Sequence, residues 1–416
     1  MKSGRKSFSL FGILFAALCL FSGCASNARP ESQSLPTQPE KVQSNVTAPV
    51  HVAVGEGGVG PYVSSENGFY ELKSVSANSY NIFFTDYVSN QQVYLCAQPN
   101  CAHNSESCTS YVDASRGNVP GLLYDDKKLY LISPASPDEA YLPVIEVMEP
   151  DGTDRTVLAQ FSATKNLNNG VFAADQNALY FVMNDVQTDG QAKKYVCAVD
   201  KKTGSERIVW EIPDKTSFWI LGAYDRFLLA KTIDDENMHH LMRINLDAPE
   251  EQEEVAVWRI SKQFGLVCQS RLYLYDFETE KFSVQDFQTG EIKELSNADG
   301  FAFEKFYNVA EVDGKAVITA DVQTGAGTKV SNFFLDFELS QVKELGLLDN
   351  MEHPVTICGT YGDNVYVINQ YSMQSVAVEM NGVAGSVQLP VGQCAYLPKV
   401  DFFAGKPNYT PCAPLA

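Results

Sequence analysis

A chain of 416 residues with 45% apolar side chains has material for one large core or for two to three ordinary domains. Its formal charge of −20 repels phosphate backbones, which excludes nucleic acid as a partner, and opposes adsorption to anionic lipid by charge alone. The 20 Tyr and 24 Phe favour β-sheet, and so acidic a surface suits a protein that stays soluble outside a cell.

Lys2, Arg5 and Lys6 form a positive start, and Phe8 to Phe21 is an apolar run of 14 residues. That run is too short for an ordinary membrane span and right for the hydrophobic part of a signal peptide. It ends in Leu20-Phe21-Ser22-Gly23-Cys24, which resembles the lipobox of bacterial lipoproteins, with Phe21 where leucine is more usual. The resemblance implies a signal peptide over 1–23, cleavage before Cys24, and diacylglycerol on the Cys24 thiol. An ordinary signal peptide with an incidental cysteine is the alternative. Residues 24–60 then read as the lipidated cysteine and a flexible tether, because the stretch to about Val50 is rich in Ser, Pro, Gln, Asn and Thr. Gly55-Glu56-Gly57-Gly58-Val59-Gly60 has dinucleotide-loop spacing, but Pro61-Tyr62-Val63 follows where a helix should start, so a hinge is expected.

Residues 61–416 carry a recurring phrase: a turn with Asp or Gly, then an apolar pair. It reads Asp125 to Tyr130, Asp175 to Tyr180, Ser270 to Tyr273 and Asp363 to Tyr366, with weaker copies at Asp225 to Leu229 and Asp313 to Ile318. A spacing of about 45 residues is the period of a four-stranded propeller blade. Each unit reads strand, turn, strand, loop, strand, Asp/Gly turn, strand; Glu149 to Thr153, Val199 to Gly204 and Asp286 to Gly290 are the last turns. Units beginning near 69, 121, 170, 219, 264, 306 and 356 predict an all-β fold, one β-propeller of seven four-stranded blades. The poorly marked units at 219 and 306 leave six or eight open. Pairing of the N- and C-terminal strands is expected to close the ring.

Cys96, Cys101, His103 and Cys108 fall within 13 residues. Three thiolates and an imidazole are a tetrahedral zinc set, and Pro99, Asn100 and Asn104 suit a loop that wraps one ion. The order is not that of a common zinc finger, so disulfides or free thiols stay open for an exported protein. If disulfides form, Cys412 is a candidate partner. Cys197, Cys268 and Cys358 sit in apolar strand contexts and read as core residues, while Cys394 is undecided.

Two further phrases carry a family resemblance. Leu95 to His103 resembles the N-terminal Cys/His motif, and Asp401-Phe402-Phe403-Ala404-Gly405-Lys406-Pro407-Asn408-Tyr409 the closing phrase, of lipid-anchored propeller lipoproteins from clostridia-like bacteria. With the lipobox, the resemblance covers most of the chain. It implies the propeller fold and a place outside the cytoplasmic membrane of a Gram-positive bacterium; the family's activity is largely unassigned.

Other motifs lead nowhere catalytic. Val199 to Gly204 with Trp210 partly resembles the tryptophan-docking repeat of quinoprotein propellers, but Trp210 is displaced, so shared blade mechanics are expected and no quinone. His239-His240 after Asp234-Asp235-Glu236 reads as a solvated loop, Glu250 to Glu254 as an exposed turn, and His353 precedes Pro354 at the entry to the last unit. No residue is assigned a catalytic role, and the only cofactor expected is a structural zinc. The function expected is a surface-anchored, non-catalytic binding or scaffold module for an envelope protein or a glycan. A propeller enzyme on an extracellular polymer, and a metal-dependent envelope function, are the alternatives.

Overall fold

The computed structural model describes residues 49–413 except 54–59, 77–78, 114–119, 136–141, 168–169, 187–190, 214–216 and 381–382. The signal peptide, Cys24, the tether to residue 48 and most of the glycine-rich motif lie outside the described residues.

Seven antiparallel sheets follow one another along the chain, over residues 62–94, 121–160, 173–212, 217–259, 263–296, 302–344 and 356–411, numbered blades 1 to 7. Each is built on four strands in chain order, with one extra strand in the sheet of blade 1 and two in that of blade 3, and the first strands meet between blades 1 and 2, 4 and 5, 5 and 6, 6 and 7, and 7 and 1. The fold is a seven-bladed propeller, and the two weakly marked units are blades 4 and 6.

The recurring dipeptide explains how the ring is packed. In a strand, successive side chains point to opposite faces. Leu129 therefore enters the apolar layer between blades 1 and 2, and Tyr130 the layer between blades 2 and 3. Leu179 and Tyr180 repeat this one blade on, Leu272 and Tyr273 on the two sides of blade 5, and Val365 and Tyr366 on the two sides of blade 7. A strand buried on both faces loses the in–out alternation of a one-sided sheet and reads as a short apolar run. The turns before these strands need positive φ: Asp126 and Lys127 (46° and 57°) and Asp313 and Gly314 (56° and 71°) each make a two-residue hairpin loop.

Two of the Asp/Gly turns at the outer strands, at Gly152 and Gly204, press against the preceding blade, whereas the one at Gly290 has nothing within 4 Å of where a Cβ would sit. Gly204 has φ of 69°, and a Cβ there would run into the Leu158 carbonyl of blade 2. Asp200 supplies the rest of the turn, accepting from the Lys202 and Thr203 N–H groups at 3.0 and 2.7 Å. Gly204→Ala is expected to cost about 2–3 kcal/mol, because both the backbone conformation and the space refuse a methyl group. A urea midpoint equal to that of the wild type would show that the contact yields freely.

The first and last blades meet, but more narrowly than in a shared blade. Blades 1 and 7 are each one continuous stretch, and an isolated parallel bridge between Gln91 and Ala413 spans the seam. Gln92 N–H donates to Ala413 O at 3.0 Å, and Ala413 N–H to Asn90 O at 2.8 Å. The closing phrase forms a short helix, Lys399–Ala404, whose Phe402 is fully buried between blades 6 and 7. Gly405 ends it in the left-handed conformation, φ 68°.

The first described strand, His51–Val52, is an addition that the reading as tether did not foresee. It pairs with Ala173–Ala174, the first strand of blade 3, and with Lys165–Leu167 brings that sheet to six strands. Val50 is buried in the layer between blades 3 and 4. Packing against the ring thus begins well before Pro61.

Candidate metal centre

The loop after the last strand of blade 1 runs from Leu95 to Ser110 and returns as Tyr111–Asp113, which pairs with Ser79–Asp86 of the same blade. Its turns are set by Asn100 and His103, at φ of 57° and 54°. Those bends bring Cys96, Cys101, His103 and Cys108 together, with one ligand atom of each within 4.8 Å of the others. A tetrahedral ion with metal–sulfur bonds of about 2.3 Å needs ligand atoms about 3.8 Å apart, so the four residues fit a metal ion.

Blade 1 holds the set in place. Cys108 is buried, its Sγ 3.3 Å from His103 Nδ1 and 3.1 Å from Ser110 Oγ. Ser110 donates to Asn81 Oδ1 at 3.1 Å, and Asn81 Nδ2 donates to the His103 carbonyl at 3.0 Å, so one buried amide braces both a ligand and its neighbour. The His103 ring stacks on Tyr94 at 4.0 Å, which fixes its plane. Blade 2 adds two supports. Arg155 donates to the carbonyls of Thr109 and Tyr111 at 3.1 and 2.7 Å, and Gly152 lies so close that a Cβ would come within 2.6 Å of Leu95 O.

Burial alone would raise the Cys108 pKa. Hydrogen bonding with Ser110, His103 and Cys101 overcomes it and brings the thiol down to about 6. Cys101 receives the His103 N–H, which favours its thiolate, but burial and the sulfurs of Cys108 and Cys96 outweigh that and push it up.

The remaining cysteines separate by place. Cys197 is fully buried between blades 2 and 3, Cys358 lies in the blade 7–blade 1 layer, and Cys268 packs against the blade 5–blade 6 layer. Cys412 faces Cys394 within blade 7 instead of joining the quartet.

A second polar group lies around the entering strand. His51 Nε2 sits 2.6 Å from Asp125 Oδ1, and Lys201 pairs with Asp125 Oδ2. One blade on, Asp175 accepts from Arg226 at 2.8 Å, from Tyr180 OH at 2.9 Å, and from the N–H groups of Asn177 and Ala178. Burial works against both carboxylates, but these donors hold both below the usual 3.8. A carboxyl lowered in the folded state stabilises above its unfolded pKa of about 3.9 and loses that contribution as pH falls toward the folded value. The urea midpoint is therefore expected to hold from pH 7 to about 5 and fall below about 4, less steeply in Asp125→Asn. An acid limb unchanged by that substitution would contradict the assignment.

His239 and His240 lie on the strand Met238–Asn245 and not in a loop, because the acidic run before them makes the hairpin turn. His239 is buried against Trp258, ring centroids 5.5 Å apart. His240 points outward to Glu254 at 2.6 Å and Asp234 at 3.3 Å, which raises its pKa. Glu253 and Glu254 likewise belong to the strand Gln252–Arg259. Trp210 packs on Phe218 of blade 4 at 5.5 Å, a docking contact between blades.

No protein-family model matches this chain, and no curated protein matches it. Solved propeller structures do. A structure from a study of two prolyl endopeptidases is 12% identical at a TM-score of 0.48, over 83% of this chain and 55% of that one. Puromycin hydrolase is 12% identical at 0.49, over 87% and 53%. The β-propeller domain of the Trilobed protease from Pyrococcus furiosus is 11% identical at 0.45, over 84% and 99%. The chain spans about half the length of the first two, and the likeness concerns the fold alone.

Proposed function

We propose that this chain is a lipoprotein held at the outer face of a Gram-positive cell membrane through Cys24, whose propeller is a non-catalytic binding or scaffold module. Its ligand is an envelope protein or a glycan. A zinc ion held by Cys96, Cys101, His103 and Cys108 is a structural part of blade 1.

The observation that carries the reading is the closed character of the metal set. Four protein ligands leave no position on a tetrahedral ion for water or substrate, the mark of a structural site. The chemistry such an ion supplies is cross-linking of the loop; this chain's own groups fix the ligand ring planes and the sulfur positions. The carboxylates around the entering strand support the same reading, since Asp125 and Asp175 are occupied by His51, Lys201, Arg226 and backbone donors. Binding then falls to exposed loops and blade edges.

Growing cells fed an alkynyl fatty acid test the anchor: label is expected on the wild type and absent from Cys24→Ser, and an unlabelled wild type contradicts anchoring. Immobilised protein challenged with envelope extract and a glycan array tests the binding. Saturable retention of an unaltered ligand is expected, and a cleaved or modified ligand would replace this reading with an enzymatic one.

A further inference from the structure

A second pair of sulfurs meets at the seam of the ring. Cys394 lies on the strand Val383–Pro398, and Cys412 directly follows Thr410–Pro411, the outer strand of blade 7. Ala395 pairs with Pro411 and Tyr396 with Thr410, which sets Cys412 opposite Cys394. The Cys412 N–H donates to the Cys394 carbonyl at 3.0 Å, and the two Sγ atoms lie 3.0 Å apart. Both side chains are buried, 6% and 7% exposed, in the layer that holds Phe69 and Tyr366. Opposed residues of an antiparallel pair have Cα atoms about 4.5–5.5 Å apart, within the span of a disulfide.

We infer that Cys394 and Cys412 form a disulfide that fastens the last strand of the propeller. The inference rests on the proposed export, which supplies the oxidising setting. The electrons go to the disulfide of a thiol–disulfide oxidoreductase. One cysteine thiolate attacks that disulfide, forming a mixed disulfide and releasing one carrier thiolate. The second cysteine, as thiolate, then attacks the protein sulfur of the mixed disulfide and releases the other. The two protons lost by the cysteines end on the carrier dithiol, and one sulfur–sulfur bond replaces another.

Position gives the bond its consequence. Ala413, the next residue, makes the bridge to Gln91 that spans the seam, so fixing Cys412 also fixes the contact that closes the ring. The pair differs from the metal quartet in kind: two opposed sulfurs on regular strands, against three sulfurs and an imidazole wrapped by a loop.

The test is peptide mass mapping of the full chain, denatured in the presence of an alkylating agent. One sample is taken from the native envelope, and one is purified and equilibrated with oxidised glutathione. A reductant-sensitive link between the Cys394 and Cys412 peptides is expected in both. A link in the glutathione sample alone supports the pairing and counts against export to an oxidising setting. Alkylation of both cysteines in both samples, or a link from either to Cys358, overturns the inference. Reduction is further expected to lower the melting temperature of the oxidised wild type by about 5 °C and to leave a Cys394→Ser/Cys412→Ser double variant unmoved.

Discussion

Stripping the metal with a chelator, or replacing Cys108 by alanine, is expected to lower the melting temperature by about 5–10 °C. The loop from Leu95 to Ser110 has little apolar packing of its own; Leu95 and Cys108 are its buried hydrophobic members. Without an ion its crowded sulfurs lose the charge that balances them, and the loop must hold on hydrogen bonds, the Tyr94–His103 stack and buried Leu95. Its supports reach into blade 2 through Arg155 and Gly152, so loosening it weakens the contact of two blades. Chelation should leave Cys108→Ala unmoved, since that variant has nothing to lose. Cys197→Ala, a core change of similar size between blades 2 and 3, should lower the melting temperature yet keep chelator sensitivity. A wild type indifferent to chelation, with Cys108→Ala equally stable, would deny the quartet a structural role.

Tyr366→Ala is expected to destabilise the ring by about 3–5 kcal/mol, the cost of deleting a large buried aromatic. Tyr366 is fully buried, with its ring 4.3 Å from Tyr87 and 5.6 Å from Tyr396 between centroids. Its hydroxyl lies 3.0 Å from the Tyr87 carbonyl and 2.7 Å from Asn90 Oδ1, at the turn beside the seam. The narrow Gln91–Ala413 bridge leaves this packing as the main tie between blades 7 and 1. Tyr366→Phe keeps the ring and loses the hydroxyl, so about 1–2 kcal/mol is expected. The two denaturant midpoints separate packing from hydrogen bonding; a Phe variant as unstable as the Ala variant would mean that the hydroxyl governs closure.

The repeat was legible because it is local. A turn followed by Leu129-Tyr130 or Val365-Tyr366 states within a few residues that both faces of a strand are buried, and six such phrases within seven regularly spaced units imply the wheel. The metal quartet was legible for the same reason: all its members lie in one short loop. Long-range pairings were not. His51–Val52 opens a short β-like run, His51 to Val54, before the glycine-rich motif, but its partner lies in blade 3, and nothing near it says which strand it joins. Cys394 and Cys412 are opposed only because the helix Lys399–Ala404 turns the chain back, and their spacing alone does not reveal that. The His239-His240 pair was misplaced because an acidic run resembles a loop; here Asp234 makes the hairpin turn and the histidines begin the returning strand.

The zinc-edge X-ray absorption spectrum of the natively purified chain tests the central claim most directly. One ion per chain is expected, with three sulfur neighbours at about 2.3 Å and one nitrogen at about 2.0 Å. A metal-free protein with Cys96, Cys101 and Cys108 joined in disulfides, or an ion ringed by oxygen, would contradict it.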